Sequence, residues 1–166
     1  TFELVGATVS NASGAVHAVT PKEMNIMDAA WAGAAPRYPA AKTLVVNLPG
    51  VETGSVITVT TRFTQTNAYF YSHTRTFGGT EPVRSETYRL TYPKALAPKI
   101  QLFHPGTVTC AAETNGASVV LTWHAPAQPA TRAEEQMPPW HFFKPMLYVS
   151  FGEWQAHARP LRRAIG

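Results

Sequence analysis

The chain is poor in several residue types, and each shortage excludes something. It has a single cysteine, Cys110, and a single aspartate, Asp28. One thiol excludes an internal disulfide and any cysteine-rich zinc site. One aspartate excludes the aspartate-rich loops that bind calcium through several carboxylates. Charged residues make up only 14% of the 166, against roughly a quarter in ordinary globular domains. The formal charge of +4 therefore reflects scarce acids rather than abundant bases. Arg159, Arg162 and Arg163 are the only dense basic group. A nucleic-acid surface needs cations gathered along one face, so no nucleic-acid partner is expected. No apolar run reaches the roughly 18 residues of a membrane helix, so no membrane span is expected either. Gly-x-Ser-x-Gly, Walker-type and Gly-x-Gly-x-x-Gly motifs are missing.

What the chain does have is 45% hydrophobic residues, with 14 prolines and 11 glycines spread along it. That content supports a packed core. The scattered prolines and glycines cut the chain into short elements, which disfavours a helix bundle. Strict alternation is the main local signal. Ile57, Val59 and Phe63 share a face within Gly54–Thr64; Tyr88, Leu90 and Tyr92 within Ser85–Tyr92; and Val119, Leu121 and Trp123 within Ala117–His124. Period two with one apolar side marks half-buried antiparallel strands. Phe2–Val9, Ala15–Thr20, Lys42–Leu48, Ile100–His104, Thr107–Ala112 and Pro145–Ser150 read as weaker strands. Asn115-Gly116 is a hairpin signal, and Asn11–Gly14 joins the first two strands. The expected fold is all-β, an antiparallel β-sandwich with long loops and a short C-terminal helical segment. Val59, Phe63, Leu90, Leu121 and Trp123 are its expected core.

Two stretches do not alternate. Asn25–Ala41 reads as a loop, after one helical turn at Thr20-Pro21-Lys22-Glu23, which has capping-box spacing and proline at the first helical position. Ala125–Pro139, rich in proline and alanine, reads as a linker or long loop. Gly78-Gly79 interrupts a polar and aromatic stretch from Thr66 to Thr80. Beyond the linker, Trp140, Phe142, Phe143, Met146, Tyr148, Phe151 and Trp154 are too dense in large apolar groups for a free tail. The expected organisation is a sandwich over 1–139 and a docking segment over 140–166. Pro145–Ser150 is expected along a sheet edge, with a helical start at Ser150 projecting Trp154 and Leu161. With no initiator methionine, the chain is taken as a piece of a longer protein.

The reactive side chains do not assemble into a recognisable constellation. Cys110 lies in a strand-like run with no cation beside it, so a buried, inert thiol is expected rather than a nucleophile. His17, His73, His104, His124, His141 and His157 show no His-x-His or His-x-x-x-His spacing. Glu134-Glu135 reads as a solvated surface pair rather than a general-acid pair. No catalytic, cofactor or metal residue is assigned, and the chain is not expected to be an enzyme. Tyr69-Phe70-Tyr71 and Trp140-His141-Phe142-Phe143 could serve as sugar-stacking platforms or protein contacts, or could simply fill a sheet face.

The run Lys42-Thr43-Leu44-Val45-Val46-Asn47-Leu48-Pro49-Gly50-Val51-Glu52-Thr53-Gly54-Ser55-Val56-Ile57 resembles the central signature of a bacterial domain of unknown function. That domain stands N-terminal to transglutaminase-like domains in large exported proteins. The likeness continues through the aromatic stretch Thr66–Phe77, then Glu81-Pro82-Val83-Arg84-Ser85-Glu86, Tyr88–Pro93, Leu121-Thr122-Trp123 and Pro145–Ser150 with Trp154. It covers roughly residues 15–155. It implies a mainly β, non-catalytic accessory domain beside a papain-like Cys-His-Asp domain whose catalytic residues are not in this chain. The implied location is extracytoplasmic. The implied partner is the adjacent transglutaminase-like domain, and a protein or glycan ligand is the further expectation, with a carbohydrate-binding module as the rival reading.

Overall fold

The computed structural model describes residues 2–30, 42–64 and 71–152, together with Ala158 and Arg162. All its sheets are antiparallel. The chain divides into two compact units, Thr1–Thr66 and Asn67–Gly166. Among the described residues no helix is long and apolar enough to cross a membrane.

In the first unit, β1 (Phe2–Ser10) is the central strand of a three-stranded sheet, flanked by β2 (Val16–Ala18) and β5 (Val56–Phe63). The β1–β2 turn is built by asparagine chemistry. Asn11 Oδ1 accepts the Ala15 N–H and the Ser13 hydroxyl, both at 2.8 Å, and Gly14 takes a φ of +85°. The expected turn at Thr20 is a 3-10 turn over Pro21–Glu23. The Glu23 carboxylate accepts the Thr20 N–H at 2.7 Å and also the Thr20 hydroxyl. Those bonds hold its pKa below the usual carboxylate range, the side-chain bond contributing most. The turn leads into β3 (Met24–Asp28), which pairs with β4 (Lys42–Val46). The loop expected from Asn25 thus begins as a strand. Its alternation is masked because Met24-Asn25-Ile26-Met27-Asp28 mixes polar and apolar side chains on both faces.

The expected burial of β5 is not observed. Val59 is 55% exposed and Phe63 71% exposed. Alternation shows which residues share a face; it does not say that anything covers the face. In this sheet the fully buried side chain is Val9, on the central strand, while β5 lies at the edge.

The second unit is a sandwich of two three-stranded sheets. One has the order β7 (Glu86–Pro93), β10 (Ser118–Ala125), β9 (Thr109–Asn115). The other has the order β6 (Tyr71–Thr76), β11 (Met146–Phe151), β8 (Lys99–Phe103). Their inner faces share one core of Phe77, Leu90, Val108, Trp123, Ala125, Leu147 and Val149. Register explains the shared faces, with Leu121 opposite Leu90 and Trp123 opposite Tyr88. Leu90 and Trp123 are buried and Leu121 half-buried, as expected. The β9–β10 hairpin turns on Gly116 (φ +57°) and Ala117, because Asn115 is already paired with Ser118. Glycine at the first central position suits a tight hairpin turn of the primed type.

Two expectations change here. Pro145–Ser150 is extended, but it is not at an edge: β11 is hydrogen-bonded on both sides. Ser150 is 4% exposed and paired with Ser72 and Lys99, so it is a strand residue and not a helix cap. Trp154 and Leu161 lie outside the described residues. The boundary expected at 139/140 has β11 just beyond it, joined to strands that precede it. The docking segment is thus built into the second unit through its middle strand.

Candidate functional site

One concavity among the described residues of the second unit lies beyond the end of β6. Phe77 is fully buried and donates its N–H to the Pro145 carbonyl at 2.9 Å. Gly78 then reverses the chain with a φ of +79°, a conformation that L side chains rarely adopt. Its N–H donates to Glu86 Oε2 at 3.0 Å. Glu86 is itself held by Arg75, whose Nε donates to Oε1 at 2.6 Å. This charge-assisted bridge ties β6 to the start of β7 and fixes the glycine turn.

Beyond the turn, Val83 and Gln128 exchange two backbone hydrogen bonds, at 3.0 and 2.8 Å, and the Thr131 N–H donates to the Gly79 carbonyl at 3.0 Å. These bonds pin part of the expected linker to the sandwich. Pro82, Val83 and Arg84 on one side and Ala127, Gln128 and Pro129 on the other line an open groove of about 690 Å³. That is within the usual size range of ligand sites.

Lys144 comes to this region from a third segment. A 3-10 turn over Trp140–Phe142 is closed by Phe143 and Lys144 N–H groups donating to the Trp140 carbonyl, at 3.1 and 2.8 Å. The Lys144 side chain packs inward, leaving the residue 8% exposed. Its Nζ lies 3.4 Å from where a Cβ on Gly78 would stand, and Gln128 Cβ and Cγ lie 3.5 and 3.7 Å from that same point. Among the described residues its ammonium has no ion pair. Sequence reading linked neither Arg84 with Gln128 at the groove nor Gln128 with Lys144 beside Gly78, since 16 residues or more separate the members of each pair and no local spacing links them.

The residues singled out by sequence are dispersed. Cys110 is exposed, which corrects its expected burial. It faces Trp123 across the register, but β9 is an edge strand that contributes nothing to the core. Partial desolvation nevertheless pushes its thiol pKa up, so the group is not an activated nucleophile. His73 stacks on Tyr88 at 5.4 Å between ring centroids, His124 Nδ1 lies 3.4 Å from the Thr87 hydroxyl, and His141 packs on Phe142. Among the described residues no three of His, Cys, Asp or Glu gather where a metal ion could sit. Glu134 and Glu135 are exposed.

The aromatic stretch after Thr66 contains β6 rather than only loop. Tyr69 and Phe70 lie outside the described residues. The Tyr71 ring packs edge-on against Phe151 at 5.8 Å and stacks with His73 at 6.4 Å. Tyr88, between His73 and Trp123, has its pKa pushed up to about 12, first by burial and then by Tyr71 beside it. These rings form a packed seam between the two sheets. Arg159, Arg163 and His157 lie outside the described residues.

The fold defines an all-β domain with a sandwich in its second half. By sequence, the chain belongs to the family described as a domain of unknown function with solved structure (DUF3857), whose model matches residues 1–132. No curated protein matches the chain. In structure it is similar to a crystal structure described as that of a putative protease from Parabacteroides distasonis, with a TM-score of 0.80 and 19% identity. The match covers 92% of this chain and 30% of that one, so the present chain spans under a third of that protein's length. At this identity the likeness establishes the shared fold.

Proposed function

We propose that this is a non-catalytic accessory domain of an exported protein, and that it packs against a transglutaminase-like catalytic neighbour in the same polypeptide. The transglutaminase association and the location outside the cytoplasm rest on the resemblance of the Lys42–Ile57 run and the segments that follow it. The observation that carries the packing role is the apolar face of the first unit. Phe2 and Phe63 are opposite each other on β1 and β5, and Val59 and Ile57 continue the same face. These four are 59%, 71%, 55% and 45% exposed. Thr61 lies between Phe63 and Val59 on this face, and Ala7 and Val9 opposite Val59 and Ile57 are buried, so the exposed apolar side chains lie along the outer strand and at Phe2. Exposed apolar groups gathered in this way mark an interaction surface. The raised thiol pKa of Cys110 supports the non-catalytic reading.

Hydrogen exchange on the domain alone and on a longer chain carrying the neighbour tests the proposal. Backbone amides of Phe2–Ser10 and Val56–Phe63 should be more protected in the longer chain. Equal exchange in both would overturn the packing role.

A further inference from the structure

We infer that two copies of this chain form a strand-exchanged dimer, in which Met146–Phe151 of each copy fills the slot between β6 and β8 of the other. The slot itself sets the occupant. β11 bonds to β6 on one side and to β8 on the other, and it brings the fully buried Leu147 and Val149 into the core. Ser150, 4% exposed, and Lys144, 8% exposed, are buried with it. An arm from Trp140 onward that leaves the slot uncovers the core of the second unit, and a second copy's arm restores the same contacts. Monomer and dimer then hold the same strand pairings. They differ in the connecting segment and in the cost of joining two chains.

The connecting segment favours the opened form. Upstream, Gln128 and Thr131 fix the chain to the sandwich. Downstream, the 3-10 turn over Trp140–Phe142 belongs to the arm. Between them the closed form needs a turn at Glu134–Met137, held by the Met137 N–H donating to the Glu134 carbonyl at 3.2 Å. That turn places Gln136 at a φ of +64°, a left-handed conformation that is unfavourable for a residue with a Cβ. The neighbours of Gln136 favour a straight chain. Pro138 and Pro139 bias the residues before them towards extended backbone, and Pro139 already has a φ of −53° and a ψ of 142°. Glu134 and Glu135 are adjacent, exposed like charges, which lengthen the segment by repulsion. Opening releases Gln136 from its left-handed φ, and strain in a short hinge favours exchange. Extended at roughly 3.4 Å per residue, Arg132–Pro139 carries the arm about 27 Å. The hinge lies in the second unit and the exposed Phe2–Phe63 face in the first, so the inference does not rest on the packing role.

The test is refolding of the 166-residue chain from urea over a range of protein concentrations, followed by size exclusion with light scattering. The dimer fraction should grow with concentration. Gln136→Gly, which suits the left-handed φ, should lower the association constant about tenfold or more, because each dimer opens two hinges. Pro138→Ala with Pro139→Ala, both at exposed positions, should lower it as well. Cysteines at the facing pair Ser72 and Ser150 tell exchange from side-by-side association. With Ser72→Cys and Ser150→Cys in a Cys110→Ser background, oxidation of the exchanged dimer should link two chains on a non-reducing gel. A chain that stays monomeric after refolding at every concentration would overturn the inference. So would a dimer whose paired cysteines close within one chain, or equal association of the wild type and Gln136→Gly, whether or not the double-cysteine variant folds.

Discussion

Phe2 and Phe63 stand directly opposite each other across β1 and β5, and both rings are more than half exposed. Their neighbours Glu3 and Arg62 are the next pair in the register and form an exposed ion pair. The sheet therefore places an aromatic pair and a charged pair on opposite faces, and neither is buried. In this domain alone, Phe63→Ala should change stability by less than about 0.5 kcal/mol, the range of ordinary surface substitutions. Urea unfolding measures it directly.

Trp123 is the contrasting case. It is 3% exposed and lies in the core between the two sheets of the second unit. Trp123→Ala should cost roughly 3–5 kcal/mol, because a large cavity is left where the surroundings relax only in part. Leu147, fully buried on the middle strand of the other sheet, should cost about 2–5 kcal/mol on truncation to alanine. The same urea series should separate these two from Phe63→Ala by several-fold.

Tyr88 should make the domain sensitive to alkali. Its hydroxyl keeps its proton more tightly in the folded state, with a pKa of about 12, than in an unfolded chain, where tyrosine titrates near 10. The resulting stabilisation is complete below about pH 10 and is lost as the pH rises through the folded value. Stability measured between these two pH values should fall less steeply in Tyr88→Phe than in the wild type. Equal slopes would mean that the tyrosine is not desolvated as described.

Cys110 is open to reagents, yet its thiol is harder to ionise than a free cysteine. Since the thiolate is the reacting form, native alkylation by iodoacetamide at pH 7 should be slower than for a free thiol and should accelerate as pH rises. A fast, pH-independent reaction would instead signal an activated cysteine.

The strands that sequence revealed are those where hydropathy and geometry agree. Leu90 and Trp123 are apolar at alternate positions and face a covered core, so the pattern and the burial coincide. Val59 and Phe63 show the same pattern but stay exposed on the outer strand, although Ala7 and Val9 on the same face of the central strand are buried. A strand's own residues carry no record of how far the cover extends. β6 was hidden for the opposite reason. Its face toward the core carries Tyr71, His73 and Arg75, where a core strand is expected to show aliphatic residues. The groove was not legible, because Pro82–Arg84 and Ala127–Pro129 come from separate segments that only the fold brings together.

The place of β11 has a consequence for how the chain is made. β6 and β8 are not neighbours; each bonds to β11, which is synthesised more than 40 residues after β8 ends. Until Met146–Phe151 emerges, this sheet is two separated strands around an open slot, with unpaired backbone on both sides. Long-range pairing of this kind folds late and slowly. The family match stops at residue 132, before that strand. A protein cut there would keep the slot but lose its filler, and Met146–Phe151 of an uncut copy has the sequence to complete it by strand exchange.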